Sequence, residues 1–178
     1  MPDPHPRHVV FVGAMGSGKS TVGTRVALAL HRPFVDNDAL LQEVAGASAA
    51  EVAARDGVDA LHRIEAATLL DALGSVDRSV IAAAASTVTD SGVRDALKAS
   101  AWVVWLRADP ATLIARLPGS STRPFRDQDP ARLVAHQARE RDRLFADVAD
   151  LTLDTGHDGV DAVVARVVAS AHERGLGV

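Results

Sequence analysis

The octapeptide Gly13-Ala14-Met15-Gly16-Ser17-Gly18-Lys19-Ser20 constrains this chain more than any other stretch. Its G-x-x-x-x-G-K-[ST] spacing has physical meaning only between a strand and a helix. Both neighbours are present in the sequence. His8–Val12 (HVVFV) is a short β-branched run, and Lys19–Leu30 carries Val22, Val26 and Leu30 at helical spacing. Glycines let successive backbone N–H groups turn inward without Cβ clashes, and the helix N-terminus adds the positive end of its dipole. Gly13, Met15, Gly16, Ser17, Gly18, Lys19, Ser20 and Thr21 therefore read as a phosphate cradle. Lys19 would reach the β- and γ-phosphates, and the Ser20 hydroxyl would bind Mg²⁺. Lysine occurs only at Lys19 and Lys98, so one of the two stands where this chemistry needs it.

The remainder alternates strands and helices. Pro33–Val35, Ser79–Ala83, Ala101–Leu106 and Leu151–Asp154 read as strands. Ala39–Ala45, a segment opened by the Ser48/Glu51 capping-box pair, Asp59–Leu73, Val93–Ala99, the segments starting at Asp109-Pro110 and at Asp129-Pro130 (the latter to about Ala146), and the valine-striped segment from Val160 to Ala171 read as helices. Short connections between alternating elements predict a parallel sheet covered by helices on both faces, in one α/β domain over residues 1–178. Pro118–Gln128 (PGSSTRPFRDQ) has no periodic pattern and is a candidate lid.

Net charge is −4, which argues against bulk affinity for nucleic acid or an anionic membrane. Cysteine is absent, which excludes disulfides and thiolate metal sites, and no run is long and apolar enough to span a bilayer. A cytoplasmic, soluble and monomeric protein acting on a small molecule is the expectation. Seven of the 17 arginines fall between Arg116 and Arg143, a density suited to binding phosphate or carboxylate.

A phosphate loop alone fits GTPases, ATPases, kinases and nucleotide sensors. Phe34-Val35-Asp36-Asn37-Asp38 narrows the choice by setting two carboxylates at the end of the second predicted strand, where doubly wound sheets bind ligands. Asp36 could hold a metal through water, and Asp38 could orient and deprotonate an acceptor hydroxyl. The competing reading is a helix cap, with Asp38 starting the next helix.

FVGAMGSGKSTVG, PFVDNDAL, the helix with Arg63 and Glu65, the turn STRP and the segment ARERDRLFADVADLTLDT together resemble shikimate kinases, from about His8 to about Asp154. The resemblance implies a nucleoside monophosphate kinase-like fold with a five-stranded parallel sheet and a closing lid, using ATP and Mg²⁺. It implies that Asp38 acts on the acceptor hydroxyl and that Asp36 serves the metal. By the same resemblance Arg123 in the lid reaches the phosphates, Arg116 packs on adenine, and Arg141 helps clamp the acid group of shikimate.

The sequence departs from that pattern on the acceptor side. VIAAAAST places Ala84, Ala85 and Ser86 where the family has three glycines, so the pocket wall should be shallower, with Ser86 and Thr87 offering hydroxyls. His62 stands where the family has the second clamp arginine and cannot form a bidentate fork. Arg143 replaces a proline and adds a cation nearby; Phe145 replaces a tyrosine. The implied activity is phosphoryl transfer from ATP to a hydroxyl of a small cyclic alcohol or acid, with shikimate disfavoured. The alternative is an inactive nucleotide-binding regulator, which the edited acceptor side favours and the retained Asp38 and Arg123 oppose. A nucleoside monophosphate kinase fits less well, because the pocket has no base-recognition pattern.

Overall fold

The computed structural model describes residues 8–116 and 130–177. The lid segment 118–128 and its Arg123 lie outside the described residues. Five strands, β1 (His8–Val12), β2 (Phe34–Asp36), β3 (Val80–Ala82), β4 (Ala101–Arg107) and β5 (Leu151–Asp154), form one parallel sheet in the order β2-β3-β1-β4-β5. The first, central strand pairs with β3 on one side, Val9 opposite Val80, and with β4 on the other, Val9 opposite Trp102.

Strand alternation divides the core into two layers. Val9 and Phe11 face α1 (Lys19–Ala29) and α8 (Val160–Glu173), packing with Val22, Val26, Trp102, Val163 and Val167. Val10 and Val12 face the opposite way, toward α4 (Val58–Gly74), α5 (Ser91–Ser100) and α7 (Pro130–Val148), with Leu69, Leu97, Trp105 and Phe145. Each fully buried side chain of this kind contributes roughly 1.5–3 kcal/mol over exposure. Phe145, where the family pattern has tyrosine, is fully buried, its ring centroid 5.9 Å from that of Trp105. A phenolic hydroxyl there would need a buried partner, which phenylalanine does not.

A third cluster, Leu41, Val52 and Leu61, joins α2 (Asn37–Ala45) and α3 (Ala49–Asp56) to α4. The capping box is formed as expected: the Ser48 hydroxyl accepts from the Glu51 N–H, and the Ser48 N–H donates to Glu51 Oε2 at 2.8 Å. Helix α6 (Pro110–Arg116) follows β4. Element boundaries differ from expectation by at most two residues, mostly because helices run one or two residues past the expected ends; β3 is shorter than expected, at Val80–Ala82. A 3₁₀ turn at Thr87–Thr89, which the sequence pattern did not suggest, follows β3. Among the described residues, no helix is long and apolar enough to cross a membrane.

Candidate active site

The loop between β1 and α1 opens at Gly13, whose φ of +146° lies outside the range comfortable for other residues. A Cβ here would sit 2.4 Å from Leu106 O, so the loop can hug β4 only with glycine. Gly18 caps α1 in the left-handed region, and no side chain caps the helix. The first-turn N–H groups, from Lys19, Ser20 and Thr21, are therefore left for an anion. Ser17 is buried beneath the loop, while Met15 is exposed at its tip. The Lys19 ammonium donates to Gly13 O and Ala14 O, both at 2.9 Å, so it is held across the mouth of the cradle.

Asp36 ends β2 and answers the capping question. It is Asp36, rather than Asp38, that caps α2: its Oδ1 accepts from the Asp38 N–H at 3.0 Å. Its Oδ2 accepts from the Ser20 hydroxyl at 2.7 Å. This frees the Asp38 side chain from capping duty and brings a hydroxyl and a carboxylate together at the cradle. Between the two aspartates, Asn37 is buried and donates to Glu65 O and Thr68 Oγ1 at 3.2 and 3.1 Å, which ties the start of α2 to α4.

Helix α4 carries the next group. Glu65 is 7% exposed, and the Ser86 hydroxyl donates to its Oε2. Thr87 donates to Ala84 O at 2.7 Å. Ser86 and Thr87 were expected to offer hydroxyls to the pocket; both instead commit their protons within the protein. The 3₁₀ turn folds Thr87 back on Ala84, and the buried Glu65, on α4, demands a donor, which Ser86 supplies. Ala84 and Ala85 remain partly exposed, and His62, one turn from Glu65, is half-buried.

Electrostatics gather these residues into one group. Burial pushes the Lys19 ammonium down to about 8, against the pull of Asp38 and Asp36 and with help from the like charge of Arg141. The Asp38 carboxyl is pushed up, first by desolvation and then by Asp36, with Lys19 opposing. Asp38 is nevertheless reached by solvent. Glu65 is also pushed up by burial, with the Ser86 hydroxyl and the charge of Arg141 opposing and Asp38 adding to the rise. His62 is pushed below its usual value by burial and by Arg141, so it is neutral at pH 7. Arg141, on α7, is partly buried, and its charge is answered by Glu65 and Glu140. Arg143, two residues on, is exposed.

On the other flank, Arg116 at the end of α6 donates through Nη1 to Thr155 Oγ1 at 3.1 Å and through Nη2 to Thr155 O. Thr155 is buried, and its hydroxyl lies 3.3 Å from Ser17 O, so Arg116 is linked to the phosphate loop through one residue. Glu65 was expected only as a mark of the family resemblance, with no site role, and Thr155 was given none. Glu65 was legible as an acid among Leu61, Ala66 and Leu69 on a buried helix face; Thr155 offered no signal beyond ending the segment LTLDT.

The donor set fits a nucleotide with a divalent cation. Uncapped helix amides and a lysine suit phosphates, and the paired Ser20 hydroxyl and Asp36 carboxylate offer hard oxygens to Mg²⁺. A sequence model of the family described as shikimate kinase matches residues 15–172. The shikimate kinase of Symbiobacterium thermophilum is 36% identical over 171 residues, covering 94% of this chain and 98% of that protein. That of Mycobacterium marinum is 36% identical over 161 residues, covering 90% and 86%. Among solved structures, the shikimate kinase from Acinetobacter baumannii in complex with shikimate superposes with a TM-score of 0.89 at 24% identity, covering 96% of this chain and 94% of that one. At these identities the structural likeness speaks to the fold.

Proposed function

Because the chain belongs to the shikimate kinase family, we propose that it transfers the γ-phosphoryl group of ATP to a hydroxyl of a small cyclic alcohol or acid. The observation that carries this reading is the Lys19–Asp38 neighbourhood: a phosphate-loop lysine and a carboxylate freed from capping feel each other's charge. Phosphoryl transfer asks mainly for positioning and charge neutralisation. Lys19 and the first-turn amides of α1 hold the phosphates, and Arg116 meets the adenine side. Asp38 accepts the proton of the acceptor hydroxyl; its raised affinity for a proton suits a general base. Ser20 and Asp36 would hold Mg²⁺, which supplies neutralisation of the phosphate charge. Arg123 is assigned to the phosphates from the lid, and Arg141, His62, Ala84, Ala85 and Ser86 to the acceptor.

The test is acceptor-dependent ADP release with Mg²⁺-ATP across shikimate, quinate, neutral cyclitols and nucleoside monophosphates. Asp38→Asn should lower kcat by roughly 10²–10⁴-fold while ATP still binds. A second reading, a nucleotide-binding regulator without turnover, draws on the committed Ser86 and Thr87 hydroxyls, which close the acceptor wall on itself. Tight ATP binding with no acceptor stimulating ADP release would establish it.

A further inference from the structure

We infer that Thr155 is a positioning residue for nucleotide recognition: its hydroxyl ties the Arg116 guanidinium and the carbonyl of Ser17 into one unit, so that Arg116 meets the base already aligned with the phosphate loop. The inference rests on the reading that Arg116 lies against the nucleobase, and adds to it the residue that sets its place.

Segments distant in sequence converge on Thr155. It follows β5 directly and is 5% exposed, and its N–H donates to Arg107 O at 2.7 Å, which fixes its backbone against the end of β4. Its hydroxyl lies 3.2 Å from Arg107 O and 3.3 Å from Ser17 O, so one proton is shared between two carbonyls. The same oxygen accepts from Arg116 Nη1 at 3.1 Å, and the Thr155 carbonyl accepts from Nη2. One hydroxyl thus donates toward the phosphate loop and accepts from the arginine. The two bonds support each other, since a hydroxyl that gives its proton away becomes a better acceptor.

Both ends of this link belong to the nucleotide site. Arg116 is exposed at the last position of α6, where a long side chain samples many rotamers unless it is held. Gripping two donors on the guanidinium edge fixes its plane and leaves the planar face to stack on a base. Ser17 is buried beneath the phosphate loop; its N–H donates to Ala14 O at 3.2 Å, and its carbonyl meets the Thr155 hydroxyl. The turn that cradles the phosphates and the arginine beside the base are therefore one hydroxyl apart. Such preorganisation raises affinity by reducing the freedom lost on binding.

The experiment compares ATP with inorganic tripolyphosphate, which carries the phosphates without the nucleoside. Both are measured on one preparation of the full chain, ATP by equilibrium binding and tripolyphosphate by displacing it. The quantity read is the dissociation constant of tripolyphosphate divided by that of ATP. This ratio isolates what the nucleoside adds and is insensitive to the fraction of folded protein. Thr155→Val keeps the volume, the β-branch and the backbone bonds, and removes only the hydroxyl. It should lower the ratio about fivefold or more. Thr155→Ser should restore the wild-type ratio, and in an Arg116→Met background Thr155→Val should lower it no further. A merely structural hold on the loop would weaken both ligands alike and leave the ratio unmoved. That result overturns the inference, as does an equal drop when Arg116 is already replaced, or a failure of Thr155→Ser to restore the ratio; each leaves Arg116 beside the base. A ratio unmoved by Arg116→Met overturns the base-side reading of Arg116, and the inference with it.

Discussion

Lys19 couples nucleotide binding to pH. In the free protein, burial holds its ammonium at about 8, so near that pH a large share is neutral. Phosphates favour the charged form, so bound ATP moves the group back up. The sign follows directly: binding takes up protons near pH 8, takes up none well below it, and weakens as pH climbs past it. Titration calorimetry in buffers of different ionisation enthalpy measures the uptake, which should vanish in Lys19→Met. Gly13 allows a second expectation. Gly13→Ala sets a Cβ 2.4 Å from Leu106 O in a region of φ that alanine avoids, so the loop must leave β4. ATP affinity should drop at least tenfold, by equilibrium binding, with the sheet retained by circular dichroism. At this scale the phosphate loop was open in the sequence, because a spacing rule and a turn chemistry coincide there. Glu65 was harder to find as a site group: its importance depends on Ser86, 21 residues away, and sequence alone does not pair them.

Elements show the same divide between local and distant causes. The capping box of α3 is a purely local device and formed as its spacing implied. Ser48→Ala should cost about 1 kcal/mol. For a chain of this size that lowers Tm by roughly 2–4 °C, readable by scanning calorimetry, with kcat unchanged. The start of α2 shows the opposite case. Asp36 and Asp38 are equally good caps by type, and the helix took Asp36 because its carboxylate also meets Ser20 on α1. That contact is tertiary. The 3₁₀ turn after β3 escaped notice for a similar reason: the alanine run names neither strand nor helix, and the chain bends where Ser86 is drawn to Glu65.

For the whole molecule, hydrophobic alternation carried most of the information. Val9 and Phe11 against Val10 and Val12 already imply a central strand buried on both faces, and the two core layers follow from it. The order β2-β3-β1-β4-β5 was not readable from periodicity, since strand neighbours are chosen by the handedness of crossovers and by packing. That order sets the C-terminal ends of β1 and β3 side by side, with β2 beyond β3, so that the phosphate loop, the VIAAAAST wall and the two aspartates meet at one edge. Phosphorus NMR of the protein with Mg²⁺-ATP and the acceptor set follows the fate of the γ-phosphoryl group itself. A phosphomonoester resonance should grow in, and Asp38→Asn should abolish it while ATP remains bound. Inorganic phosphate as the sole product, or an ester signal undiminished in Asp38→Asn, would contradict transfer to an alcohol held by that carboxylate.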